Sequence, residues 1–133
     1  MESKLTLITP PDFYENGNLS LLFLSISDEE QKEVSVWLKD NKLPEDLNLY
    51  TYQGEPNVEW LFYALARSDY KYINLDSDDG MTNVLSSYIV SRPNVFWHTE
   101  NPDLRSVLEH LNGGYVESVT DFLIKLLDRK SVV

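Results

Sequence analysis

The sequence predicts an α/β fold with a mostly parallel sheet and helices on both faces. Three observations favour it. Short apolar runs alternate with longer runs of helical period. The run 19–26 is almost entirely apolar, which is typical of a strand covered on both faces. Residues that start helices follow the apolar runs. At 133 residues, the chain is expected to form a single α/β domain, residues 1–133.

The expected elements form five strand-then-helix units. The expected strands are 19–26, 47–52, 70–75, 95–97 and 115–116. The segment 5–8 alternates weakly and is interpreted as a short edge strand whose place in the sheet the sequence leaves open. Residues that start helices are Ser27 with Glu30, Pro56, Asn101, and Ser118 with Asp121. Such alternation predicts a flavodoxin-like or Rossmann-like three-layer sandwich of about five mostly parallel strands.

Ligands of such sheets bind beyond the carboxyl ends of the strands, near the point where the strand order reverses. The candidate ligand-binding residues selected by this rule are Ser27, Asp28, Asp76, Asp78, Asp79 and His98. Carboxylates two residues apart, as in 76–79, can share a hard cation such as Mg²⁺. The favoured interpretation is a turn with acidic residues near a helix start, and no metal site is assigned. His98 suits a general base or a metal ligand, but an ordinary loop residue is favoured, and no catalytic residue is assigned.

Composition excludes several classes of function. The chain has 22 Asp and Glu against 11 Lys and Arg, a net charge of −11, so direct nucleic-acid binding is not expected. The glycine-rich phosphate loops of nucleotide-binding proteins are absent after the first long strand, and no cofactor is expected. The lack of cysteine excludes disulfides and thiolate metal sites. Without an apolar run of about 20 residues or a signal-peptide pattern, a cytoplasmic protein with no membrane contact is expected.

The expected helix 56–66 has more apolar surface than one sheet can cover. Its stripe toward the sheet contains Val58, Leu61, Phe62 and Leu65. Trp60 and Tyr63 fall outside that stripe and are the candidate interface residues of a homodimer. The alternative is that residues 5–14 of the same chain fold over these rings.

The stretch 78–88, with the sequence DDGMTNVLSSY, and its continuation through 92–97 resemble the third βα unit of nucleoside deoxyribosyltransferase-like proteins. That superfamily is related in fold to TIR domains, and the order of elements over residues 19–127 is similar. The resemblance implies a catalytic Glu on the helix that follows the Asp-Gly loop. This chain has Val84, Leu85 and Ser86 there, so the attacking carboxylate is missing.

These observations favour a non-catalytic accessory or protein-interaction domain that binds a protein partner or itself. The alternative is a small nucleoside- or nucleotide-binding protein, or a deoxyribosyltransferase-like enzyme, that uses the acidic loop 76–79 with His98. A third hypothesis, an acidic mimic of DNA, fits the net charge of −11, but that charge is spread along the chain.

Overall fold

The computed structural model describes residues 5–8, 19–24, 26–41, 49–52, 63, 65–76, 82–91 and 95–131. Its strands are β1 (Leu5–Ile8), β2 (Leu19–Leu24), β3 (Leu49–Tyr52), β4 (Ser68–Asn74) and β5 (Val95–His98). Its helices are α1 (Asp28–Asp40), α2 (Thr82–Ser91), α3 (Pro102–Leu111) and α4 (Val119–Ser131). The predicted α/β class is confirmed. None of the helices in these described ranges is long and apolar enough to cross a membrane.

The five strands form one sheet in the order β1-β3-β2-β4-β5, and every neighbouring pair is parallel. The chain passes from β2 outward to β3 and then crosses to the other side of β2 to form β4. The strand order therefore reverses between β2 and β4. In the register of the sheet, Phe23 lies between Thr51 and Tyr72.

Four of the expected strands are present, but the one expected at 115–116 is wrong. That segment makes a single bridge, in which Tyr115 pairs with Trp97. Two hydrogen bonds hold it, from the Trp97 amide to the Gly114 carbonyl (3.0 Å) and from the Val116 amide to the Trp97 carbonyl (2.9 Å). Two glycines precede the segment and α4 begins at Val119, so few residues remain for a ladder. The fifth strand is β1, at the edge beside β3.

Both faces of the sheet are covered, as the apolar run at β2 predicts. Leu21 and Phe23 pack toward α1 and α4, whereas Leu22 and Leu24 pack toward α2 and α3. All four side chains are at most 1% exposed. On the first face the ring of Phe122 meets that of Phe23 edge-on, with centroids 5.7 Å apart. The two layers of helices thus enclose the central strand.

The predicted helix starts at Ser27, Asn101 and Ser118 are confirmed, whereas Pro56 lies outside the described residues. The hydroxyl oxygen of Ser27 accepts from the amide of Glu30 (3.1 Å), and the carboxylate of Glu30 accepts from the amide of Ser27 (3.2 Å). The side-chain oxygen of Asn101 accepts from the amides of residues 103 and 104. The hydroxyl oxygen of Ser118 accepts from the amide of Asp121 (3.1 Å). These caps satisfy amide groups that a helix start leaves without partners.

Two adjacent glycines before the bridge offer a matched test of this packing. A Cβ added at Gly114 would overlap the backbone oxygen of Val95 and meet the side-chain oxygen of Asn112 at 2.9 Å, whereas a Cβ at Gly113 meets nothing within 4 Å. We expect Gly114→Ala to lower the free energy of unfolding by about 2–3 kcal/mol, because β5 has to move. Gly113→Ala should change it by less than about 1 kcal/mol. Urea unfolding measures both, and equal effects would show that the contact with β5 is not tight.

Candidate functional site

A connected set of hydrogen bonds crosses the carboxyl ends of β2, β4 and β5. We call it the carboxyl-edge network, and its members are Glu30, Tyr72, Asn74, Asp76, Thr99, Glu100 and His98. It includes the point between β2 and β4 where the strand order reverses, which is where ligands of such sheets bind. The network is therefore the candidate functional site.

Glu30 links the start of α1 to β4. Its carboxylate accepts from the Tyr72 hydroxyl (2.9 Å) and from the Asn74 amide group (2.5 Å), in addition to the capping bond from Ser27. Burial raises the pKa of Tyr72 far above its usual value, and the negative charge of Glu30 and the hydrogen bond to it raise this pKa further. The phenol consequently stays neutral and donates to the carboxylate.

Asp76 links the end of β4 to the loop that follows β5. Its amide donates to the side-chain oxygen of Asn74 (2.8 Å). One carboxylate oxygen accepts from the Thr99 hydroxyl (2.7 Å), and the other accepts from the Glu100 amide (2.9 Å). The Thr99 oxygen in turn accepts from the amide of Asn101, the residue that caps α3 (3.2 Å). Asp76 thus positions the loop from which α3 begins.

His98 is buried at the end of β5, with 7% of its surface exposed. Its Nδ1 lies 2.8 Å from the carbonyl oxygen of Val116, and its Nε2 lies 2.9 Å from a carboxylate oxygen of Glu100. The ring stacks on that of Tyr115, with centroids 5.7 Å apart. Both ring nitrogens therefore lie against oxygen atoms of the same chain.

Tyr115 also contacts α3, through Arg105. The guanidinium of Arg105 lies 4.0 Å from the centre of the Tyr115 ring and hydrogen-bonds to Glu109 (2.6 Å) and Glu117 (3.5 Å). Partial burial raises the pKa of Tyr115, and the charge of Glu117 adds to this shift. The hydrogen bond that Arg105 donates to the carboxylate of Glu109 raises the pKa of Arg105. The stack of Arg105, Tyr115 and His98 therefore fastens the bridge segment to both α3 and β5.

Two of the predicted site residues, Asp76 and His98, belong to the network, and a third, Ser27, is joined to it by its capping bond with Glu30. Asp28 is exposed in the first turn of α1. Asp78 and Asp79 lie outside the described residues, so the cation hypothesis for the acidic loop stays a prediction. Within the described ranges, no group of three His, Asp or Glu side chains is arranged to hold a metal ion.

The candidate interface is described in part. Tyr63 is half-buried against the core on the α2 and α3 side. Its hydroxyl accepts from the guanidinium of Arg67 at 2.6 and 3.0 Å, and the Arg67 guanidinium lies over the ring. Trp60 lies outside the described residues. Contacts within the chain therefore cover part of the Tyr63 side chain. The predicted homodimer interface depends on Trp60, the other candidate residue.

The linking role of Glu30 and the contributions of Tyr72, Asn74 and Thr99 were not predicted from the sequence. A signal was present in β4. Side chains alternate between the faces of a strand, so Tyr72 and Asn74 share a face, with Asp76 two positions further along. Polar groups at every second position up to the end of a buried strand indicate a site at that end.

No protein-family model matches the chain, and no curated protein matches its sequence. The resemblance to nucleoside deoxyribosyltransferase-like proteins stays a prediction. Among the positions where it implies the nucleophilic Glu, Leu85 is 2% exposed and packs in the core against the sheet.

The contact between Tyr72 and Glu30 predicts a pH-dependent effect of Tyr72→Phe. We expect the free energy of unfolding of this variant to be about 1.5 kcal/mol lower than that of wild type at pH 7, because the Glu30 carboxylate loses a hydrogen-bond donor. The folded pKa of Tyr72 is raised, so the stabilisation is complete below the unfolded pKa of about 10 and decreases above it. The difference in free energy of unfolding between wild type and variant should therefore become smaller above pH 10. Urea unfolding at a series of pH values measures it.

Tyr50→Phe, the same change on β3, is the control for loss of a phenol from the sheet. The difference in free energy of unfolding between wild type and Tyr72→Phe could instead stay constant or increase above pH 10. That result would show that the phenol does not remain neutral in the folded chain.

Proposed function

We propose that this chain is a non-catalytic protein-interaction domain on a flavodoxin-like scaffold. The observation that carries the proposal is the carboxyl-edge network. A general base or nucleophile needs an atom turned toward the substrate. Both carboxylate oxygens of Asp76 and both ring nitrogens of His98 are instead engaged within the chain. The side chains best suited to chemistry therefore connect secondary-structure elements.

The strand order supports the flavodoxin-like scaffold. Counted from β2, the strands and the Tyr115 bridge follow the spatial order 2-1-3-4-5, which is that of flavodoxin-like sheets. β1 adds a strand outside this set, beside β3. A scaffold of this kind supports many functions, so the function has to be argued from its side chains.

The missing nucleophile supports an accessory role over an enzymatic one. A deoxyribosyltransferase-like reaction requires a carboxylate on α2, and Leu85 occupies the core there. The net charge of −11 supports a protein partner over a nucleic acid, because phosphate groups would be repelled.

A second candidate, a nucleoside- or nucleotide-binding protein, is favoured by the position of the network. Asp76 follows β4 next to the reversal of strand order, where a ligand would contact it together with the loop 77–79 and His98. Such a ligand would have to replace hydrogen bonds within the chain. Its binding free energy would therefore include only the difference between the new hydrogen bonds and those that they replace.

A thermal-shift panel of nucleosides, nucleotides and Mg²⁺ distinguishes the two candidates. We expect no saturable shift, whereas a ligand at about 100 times its Kd would stabilise the chain by about 2.7 kcal/mol. Asp76→Asn is the matched variant, compared with its own ligand-free melting temperature. A saturable shift with wild type that is lost in Asp76→Asn would contradict the non-catalytic proposal and support the second candidate.

The proposal includes self-association through the expected helix 56–66. We expect wild type to be a dimer at micromolar concentration. Trp60→Glu should be a folded monomer, because it replaces the interface ring with a charge that is unfavourable to bury. Size-exclusion chromatography with light scattering gives the masses, and circular dichroism checks folding. A wild-type monomer would instead indicate that Trp60 is accommodated within one chain.

A further inference from the structure

The outer face of α1, away from the sheet, contains a groove of about 620 Å³ that extends to Thr120 at the start of α4. Residues of α1 that line it are Glu29, Lys32, Glu33, Val36, Trp37 and Asp40. We call it the α1 groove. It is separate from the carboxyl-edge network, which α1 contacts through Glu30.

The floor of the α1 groove is apolar and is formed by Trp37, which packs partly against the core, and by Val36, which is exposed. Val34 and Leu38 already cover the sheet from α1 and are at most 8% exposed. Val36 is 58% exposed, and Trp37 beside it is half-buried. Val36 and the exposed part of Trp37 thus give the groove an apolar floor between charged side chains.

The rim of the α1 groove is acidic. Glu29, Glu33 and Asp40 carry three negative charges against the positive charge of Lys32. Glu29 and Glu33 are four residues apart on the helix, a spacing at which like charges repel. Within the described part of the chain, no ion pair links these three carboxylates to a cation. A cationic partner would relieve the repulsion and would be attracted by the field of the whole chain.

We propose that the α1 groove docks a basic segment of another protein. An apolar side chain of the segment would pack on Val36 and Trp37, and its Lys or Arg side chains would lie beside the rim carboxylates. This inference rests on the proposed interaction function and names its surface and the chemistry of the partner. A nucleotide or a second copy of the chain suits the groove poorly, because each would bring negative charge to an acidic rim.

The test uses a fluorescein-labelled helical peptide of about 14 residues, which matches α1 in length, with Leu at helical spacing and Lys elsewhere. Its counterpart has Glu in place of Lys. We expect the Lys peptide to bind the full chain in a fluorescence-anisotropy titration, more weakly in about 0.5 M salt, and the Glu peptide not to bind.

Matched variants locate the binding surface. Val36→Lys should weaken binding of the Lys peptide by about tenfold or more, because it removes the apolar contact and adds a like charge. Val107→Lys is the control on α3, since Val107 is 59% exposed against 58% for Val36. It should weaken binding by less than about twofold. Glu33→Gln tests the rim, against a variant on α3 with the same change of charge at an exposed residue, Asp103→Asn.

Each result decides the inference. Selective weakening by Val36→Lys and by the rim variant supports it. Equal weakening by the Val36 and Val107 variants overturns it, because the peptide is then attracted by net charge alone. No binding of the Lys peptide also overturns it, as expected if another segment of the same chain fills the groove. A wild-type dimer that Val36→Lys dissociates would assign the groove to a second copy. The proposed interaction function is contradicted separately, by the Asp76-dependent nucleoside shift.

Discussion

Burial of β2 on both faces is the constraint on which the rest of the structure depends. Leu21 and Phe23 need cover on one side and Leu22 and Leu24 on the other, so helices are required in two layers. The backbone of a buried strand must also find hydrogen-bond partners, and β3 and β4 supply them on either side. Parallel pairing then places all the carboxyl ends at one edge of the sheet.

Polar side chains gather at that edge because they are excluded from the two cores. Glu30 and Asp76 use their carboxylates to join a helix start to a strand and a strand to a loop, respectively. In other proteins of this architecture, this position holds ligands. Here the same geometry contributes to the stability of the fold, which illustrates why fold and function have to be argued separately.

The sequence predicts best those features that depend on neighbouring residues. The caps at Ser27, Asn101 and Ser118 were predictable because donor and acceptor lie within three residues of each other. The bond between Tyr72 and Glu30 spans 42 positions and depends on the register of β4 and the direction of α1, which no local pattern contains. The place of β1 was open for the same reason, since four residues carry too little pattern to select a neighbouring strand.

Helix α1 contributes residues to both the carboxyl-edge network and the α1 groove, because its successive residues lie on different surfaces of the helix. Val34 and Leu38 fix its inner face to the core, and Glu30 fixes its first turn to β4. Glu29, Glu33 and Val36 are left to line the α1 groove. Because the helix is held at its inner face and its first turn, binding of a partner would not have to order its backbone. In the proposed docking, the carboxyl-edge network would act indirectly, because Glu30 fixes the first turn of the helix that presents the groove.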